Sequence, residues 1–216
     1  MPPTLRAPSS TQPSPSTHTL AIHPPTLTWL SGPWNITHST LPMWKKSRNV
    51  QITYTPIPTT TTPSTSTNLD DLVTYQTSTS TALKSVRGID KPDQHTTADQ
   101  NHTSPTEIAH NNVEEPRASL AYNWRGKGWL MIASSKWEIL GYGEEEEGST
   151  TERNSWMVTF FAKTLFTPAG VDLYSRKGRL RPQTVEAIKE ALSGLGGRVG
   201  ELAGELFEVE MDGGRE

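Results

Sequence analysis

Apolar and polar positions alternate along residues 34–39, with Trp34, Ile36 and His38 set against Asn35, Thr37 and Ser39. A period of two predicts a half-buried strand. Pro42 interrupts it, and Val50, Ile52 and Tyr54 then alternate with Gln51, Thr53 and Thr55 until Pro56 and Pro58 end the run. Leu69–Gln76 and Leu83–Ile89 read as a hairpin pair, and three further strands are expected at Leu120–Trp124, Gly128–Ser134 and Lys136–Tyr142. "SWMVTFFAK" (155–163) is apolar on both parities, which predicts a strand covered on both sides, and "VDLYSR" (171–176) adds the last. A helical pattern comes only afterwards. Pro182 suits a first turn, and Val185, Ile188, Ala191, Leu192 and Leu195 fall on one face. Glycines 194, 196 and 197 interrupt that helix, and a second amphipathic stretch carries Val199, Leu202 and Leu206.

Strands joined by hairpins with no intervening helix are antiparallel and leave edges to be managed, which full closure removes. The expected class is therefore all-β, an antiparallel closed β-barrel of about eight or nine strands with a C-terminal helix. A two-sheet sandwich is the alternative. The expected division is a disordered tail (1–26), a barrel (27–178) with flexible loops at 57–68, 91–118 and 144–154, and a C-terminal helical segment with a charged tail (179–216). The loop and tail expectations rest on Ser, Thr and Pro in place of large apolar side chains, a composition that does not offset its ordering entropy.

The 216 residues suit one domain, and only 32% are hydrophobic. The chain has no cysteine, which excludes disulfides and thiolate chemistry and fits a reducing compartment. A net charge of −3 gives no reason to expect nucleic acid. No apolar run reaches membrane-spanning length, so no membrane partner is expected. The N-terminal stretch lacks the apolar core of a secretory signal, and the sequons at Asn35 and Asn101 are then coincidental. A cytoplasmic location follows as the expectation, with the oligomeric state open.

Gly32-Pro33-Trp34, at the start of the first strand, resembles the Gly-x-Trp of lipocalin-like proteins. Arg176, ending the last strand in Tyr174-Ser175-Arg176, stands where lipocalins commonly pack an arginine across that tryptophan, and a helix follows as in them. The resemblance covers roughly residues 27–195, in order of elements more than in identities. It implies a calycin barrel plugged at one end by Trp34 beneath Arg176. The missing disulfide and the Ser/Thr/Pro-rich insertions make the chain look like an intracellular, fungal-type member.

Sharp catalytic motifs are absent: no Gly-x-Ser-x-Gly, no phosphate loop, no dinucleotide fingerprint. "GLGGRVG" (194–200) lies within a helical pattern and not after a strand. Five of six histidines fall in low-complexity sequence, so neither metal nor cofactor is expected. His38 shares parity with Trp34 and Ile36, which makes it a candidate interior acid–base or a core histidine satisfied by a carbonyl. Glu138 is a candidate catalytic acid if the face of Leu140 and Tyr142 is the cavity, and solvated if Trp137 points inward. Glu144–Glu147 is expected to be a solvated loop run. Arg87, Arg125 and Lys127 could hold an anionic group at a barrel mouth or be solvated strand ends. Trp44, Tyr54, Tyr75, Trp124, Trp137 and Tyr142 are the expected lining of an apolar pocket, or else the filling of a solid core. The expected function is binding of a small hydrophobic molecule. The alternative is a cofactor-independent isomerase or cyclase of a hydrophobic secondary metabolite, and a weaker third is an interaction protein using the C-terminal amphipathic segment.

Overall fold

The computed structural model describes residues 2–9, 22–58, 67–93, 115–128, 131–145 and 153–213. Eight antiparallel strands follow in order: β1 (Gly32–Ser39), β2 (Ser47–Pro56), β3 (Leu69–Thr77), β4 (Lys84–Pro92), β5 (Ala121–Gly126), β6 (Ser134–Glu145), β7 (Asn154–Phe161) and β8 (Gly170–Ser175). Each pairs with the next, and β1 pairs with both β2 and β8, so the sheet closes. A four-residue helix α1 (Leu27–Leu30) precedes β1; α2 (Pro182–Gly194) and α3 (Gly197–Ala203) follow β8, and a short β9 (Phe207–Glu208) pairs with the end of β1. The expected closed antiparallel barrel with C-terminal helix is what the chain forms.

Two apolar clusters give each strand its faces. Inside the barrel lie Trp34, Ile36, Ile52, Tyr54, Trp137 and Tyr174 among others. Outside, Trp156, Val158, Phe160, Val171 and Leu173 meet Val185, Ile188, Leu192, Val199 and Leu202 of α2 and α3. β7 is thus covered on both faces, as its double apolar parity implies. Burying each such aliphatic side chain contributes about 1.5–3 kcal/mol, and this attaches the helices to the β7–β8 wall. Gly196 and Gly197, both at positive φ, supply the left-handed backbone that turns α2 into α3.

One end is plugged. Trp34 is fully buried, its Nε1 donates to Leu30 O at 2.8 Å, and the Arg176 guanidinium carbon lies 3.7 Å from its ring centroid. Arg176 also donates to the carbonyls of Trp29, Ser31 and Pro33, so the cation ties α1 across the barrel floor. Burial pulls the Arg176 guanidinium down to about 10, which leaves it charged at neutral pH.

Several expectations need correction. Residues 2–9 do not hang free: Leu5 and Arg6 are buried against β6, and Arg6 N donates to Leu140 O at 2.8 Å. Residues 22–26 and 115–118 are joined by a Thr26–Arg117 bridge, and Lys91 and Pro92 belong to β4. The strand expected at Gly128–Ser134 is instead, at residues 128 and 131–133, the connection between β5 and β6, and Ser134 opens β6. Glu145 is buried at the end of β6 and accepts from Asn154 Nδ2 and Arg181 N, both at 2.8 Å. Glu144 accepts from Ser155 Oγ at 2.8 Å. The remainder of the expected loops (59–66, 94–114, 146–152) lies outside the described residues.

Candidate functional site

A cavity of about 300 Å³ occupies the barrel above the plug, opening between the loops at the opposite end. Its wall is mostly apolar, and the aromatics come from inward positions of several strands. Trp137 is sandwiched between Tyr54 (ring centroids 5.4 Å apart) and Tyr122 (4.8 Å), both nearly parallel to it. Gly88 makes room for another lining aromatic, since a Cβ there would stand 2.1 Å from the Trp124 indole nitrogen.

Of the expected aromatics, Trp44, Tyr54, Trp124 and Trp137 line the cavity. Tyr75 stands behind Trp44 in an edge contact at 5.7 Å, and Tyr142 lies at the plugged end against Trp29, donating to His23 O. Neither of those two reaches the pocket.

None of the expected polar residues lines this cavity. His38 faces the outside, in a groove under α2 with Val185, Glu186, Lys189 and Glu208. The cause is a bulge in β1 between Ile36 and His38, which inserts one residue and reverses the parity. Burial lowers the His38 pKa below its ordinary 6.5, opposed by Glu208. Glu138 also points out, because Trp137 and Ile139 point in; yet it is buried and not solvated. It accepts from Arg6 Nη2 at 2.8 Å, Ser9 Oγ at 2.7 Å and Ser9 N at 3.0 Å. A second bulge, between Ile139 and Gly141, separates the parity of Glu138 from that of Tyr142. Arg87 and Lys127 both pair with Asp70 on the outer wall at 2.8 and 2.7 Å, and the Arg125 Nε donates to Met131 O.

The polar groups that do enter the barrel are ones the pattern reading passed over: Asp71, Asp90, Asp172, Tyr174 and Thr159. All are buried, and Asp71 and Asp172 line the cavity. Asp90 Oδ1 accepts from Trp137 Nε1 at 2.8 Å, and Asp172 Oδ1 accepts from Ser39 Oγ at 2.5 Å. Asp90 Oδ2 and Asp71 Oδ1 have no hydrogen-bond partner. The Trp44 indole acts on Asp172, and the Thr159 and Tyr54 hydroxyls act on Tyr174, without meeting strict hydrogen-bond geometry. Burial pushes the Asp172 carboxyl up to about 7, with Ser39 and Trp44 opposing. It also raises Asp71 and Asp90, and Asp71 is raised further by the charge of Asp90. Tyr54 and Tyr174 are raised well above the usual phenol range, again chiefly by burial. A buried polar group without a partner costs free energy on the order of 1–3 kcal/mol, so such carboxyl oxygens inside the barrel mark a place built to be completed. The signal was present in the sequence, since Asp71 shares parity with Leu69 and Val73, and Asp172 with Tyr174.

Among the described residues no group of three or more His, Cys, Asp or Glu is arranged to hold a metal ion, and no helix is long and apolar enough to cross a membrane.

No protein-family model and no curated protein matches the chain. Solved structures do. Insecticyanin from the tobacco hornworm Manduca sexta superposes with a TM-score of 0.50 at 10% identity, over 89% of this chain and 86% of that one. Lobster apocrustacyanin A1 gives 0.48 at 11% identity (86% and 79% covered), and the siderocalin Ex-FABP 0.45 at 12% (85% and 94%). The fold is that of the lipocalins. At such identities the likeness is one of architecture, and the chemistry of the chamber has to be read from this chain's own residues.

Proposed function

We propose that the barrel binds a small, largely apolar molecule carrying a hydrogen-bond donor or a positive charge. The observation that carries this is the pair of buried carboxyls, Asp71 and Asp172, that line an otherwise mostly apolar cavity with no cation beside them among the described residues, with Asp90 buried close enough to Asp71 to act on it. The apolar wall supplies the gain from removing a hydrophobic body from water. A protonated amine or a hydroxyl group supplies what the aspartates lack, because a buried charge is tolerated when paired. Where these carboxyls are ionised, an anionic ligand would meet like charge in a low-dielectric chamber. The volume lies at the small end of ligand pockets, which limits the ligand to roughly one or two fused rings or a short chain.

The test uses a matched pair of probes, 1-naphthylmethylamine and 1-naphthylacetic acid, at about pH 8, where a carboxyl with a pKa near 7 is mostly ionised. Trp44, Trp124 and Trp137 line the cavity and report occupancy by quenching. The amine should bind at least about tenfold more tightly than the acid, a difference of about 1.4 kcal/mol. Equal affinities would overturn the donor preference, and binding of neither would overturn the pocket.

A second reading, a cofactor-independent isomerase or cyclase, is favoured by Asp172 and no longer by His38 or Glu138. A carboxyl poised near neutral pH against an apolar cavity is what general acid–base work requires. Native mass spectrometry of a copurifying ligand separates the two readings: release unchanged supports a carrier, and conversion supports an enzyme.

A further inference from the structure

The loops at the open end differ from the rest of the surface. Strand alternation places the β1–β2, β3–β4, β5–β6 and β7–β8 connections together there, opposite the Trp34 plug. Among the described residues the exposed large apolar side chains all sit on these four connections: Met43, Leu83, Met131, Ile132, Leu165 and Phe166. Ile132 is 90% exposed, Leu165 95% and Phe166 85%, so most of each side chain's surface faces solvent. Segments 40–46, 78–83, 127–133 and 162–169 contain no Asp or Glu at all, although the chain carries a net charge of −3. They do contain Lys45, Lys46, Lys127 and Lys163. Lys127 is engaged with Asp70 and Lys45 lies over the Phe207 ring, while Lys46 and Lys163 are exposed beside the apolar tips. Met43 and Phe166 also line the cavity, so the rim surrounds its entrance.

We infer that this rim docks on the surface of an anionic phospholipid bilayer, with the apolar tips of the four loops entering the headgroup layer and Lys46 and Lys163 meeting phosphates. Apolar area and clustered cations are the two contributions that hold a monotopic protein at such a surface. Separate protruding tips fit a deformable lipid layer, and the absence of acids across all four loops is complementary to its charge. The lack of a long apolar run in the sequence bears on spanning a membrane and not on resting against one. With the cavity mouth held at the bilayer, an apolar ligand could pass between barrel and lipid without crossing water; that consequence rests on the function proposed above, whereas the docking itself does not.

The experiment is flotation of the full chain with vesicles of phosphatidylcholine alone and of phosphatidylcholine with about 30% phosphatidylserine. Binding to the anionic vesicles is expected, weakened about tenfold or more when salt rises from about 0.05 M to about 0.5 M. Ile132→Asp with Leu165→Asp should weaken it by at least about tenfold while leaving 1-naphthylmethylamine binding unchanged, since neither residue lines the cavity. If that variant does not fold, Lys46→Glu with Lys163→Glu must give the same loss. No binding to anionic vesicles, or binding indifferent to both variants, overturns the proposal. A dimer that the apolar variant dissolves, without vesicle binding, would assign the rim to a second copy of the chain instead. Failure of the naphthyl probes to bind would leave the vesicle result standing.

Discussion

Glu138 and Asp172 belong to the same barrel and are equally hidden, at 2% and 1% exposure, but on opposite faces of the wall. Outside, Glu138 is completed by the guanidinium of Arg6 and by the amide and hydroxyl of Ser9. Inside, Asp172 has the Ser39 hydroxyl on one oxygen and the Trp44 indole as a looser neighbour, with no cation to match its charge among the described residues. The outer acid is a clamp that fastens the N-terminal segment to β6. The inner acid is a socket. Burial alone therefore does not mark a functional carboxylate; an unmatched charge facing a cavity does.

The contrast breaks most visibly at the clamp. Arg6→Ala leaves Glu138 buried without its cation, which costs about 3–5 kcal/mol and should appear as a lower denaturant midpoint. Trp34→Ala, which removes the plug under Arg176, should cost about as much, 3–5 kcal/mol, by the loss of a large buried aromatic. Either loss falling below about 1 kcal/mol would show that the clamp or plug contributes no more than a surface contact.

The socket should show itself in pH dependence. The Asp172 carboxyl is raised from 3.8 to about 7, so the folded state binds more protons than the unfolded chain between those values. Its stabilising contribution is complete below pH 3.8 and is lost as pH rises through about 7. For Asp172 alone the swing is of the order of 4 kcal/mol at 1.36 kcal/mol per unit. Thermal unfolding of the ligand-free protein should therefore become more favourable to the folded state as pH falls from about 8 to about 5, and Asp172→Asn should flatten the curve. His38, with its lowered pKa, acts in the opposite direction below 6.5 and blunts the effect. A wild-type profile that rises with pH would contradict the socket.

The smallest effect is expected at His38 itself. It sits in an outer groove, so His38→Ala should change stability by less than about 1 kcal/mol and leave probe binding untouched.

Much of the architecture was legible in the period-two pattern, because each strand of a closed barrel has one face inside and its hairpin order forces antiparallel pairing. The plug was legible too, through Trp34 and Arg176. Of the cavity lining, the aromatics Trp44, Tyr54, Trp124 and Trp137 were read from the pattern, whereas Asp71 and Asp172 were passed over despite their inward parity. The directions of His38 and of Glu138 relative to Tyr142 were not legible for a specific reason: a β-bulge adds one residue and leaves no mark in the composition. The bulge after Ile36 turned His38 outward and brought Ser39 in to Asp172, and that after Ile139 split Glu138 from Tyr142. The N-terminal segment was missed because Leu5 is the one buried large apolar residue of residues 2–9, and its other attachments are polar, from Arg6 to Glu138 and to the carbonyls of Leu120, Ile139 and Leu140, which no periodicity reports.

Carboxyl-carbon NMR of aspartate-labelled protein, titrated with and without saturating 1-naphthylmethylamine, bears most directly on the inner acids as a ligand site. In the free protein Asp172 should titrate near 7, raised by burial. With the amine bound, at least one of Asp71, Asp90 and Asp172 should fall by about two units or more, as an opposite charge at contact distance favours the carboxylate. Probe binding that leaves all three interior titrations unmoved would contradict it.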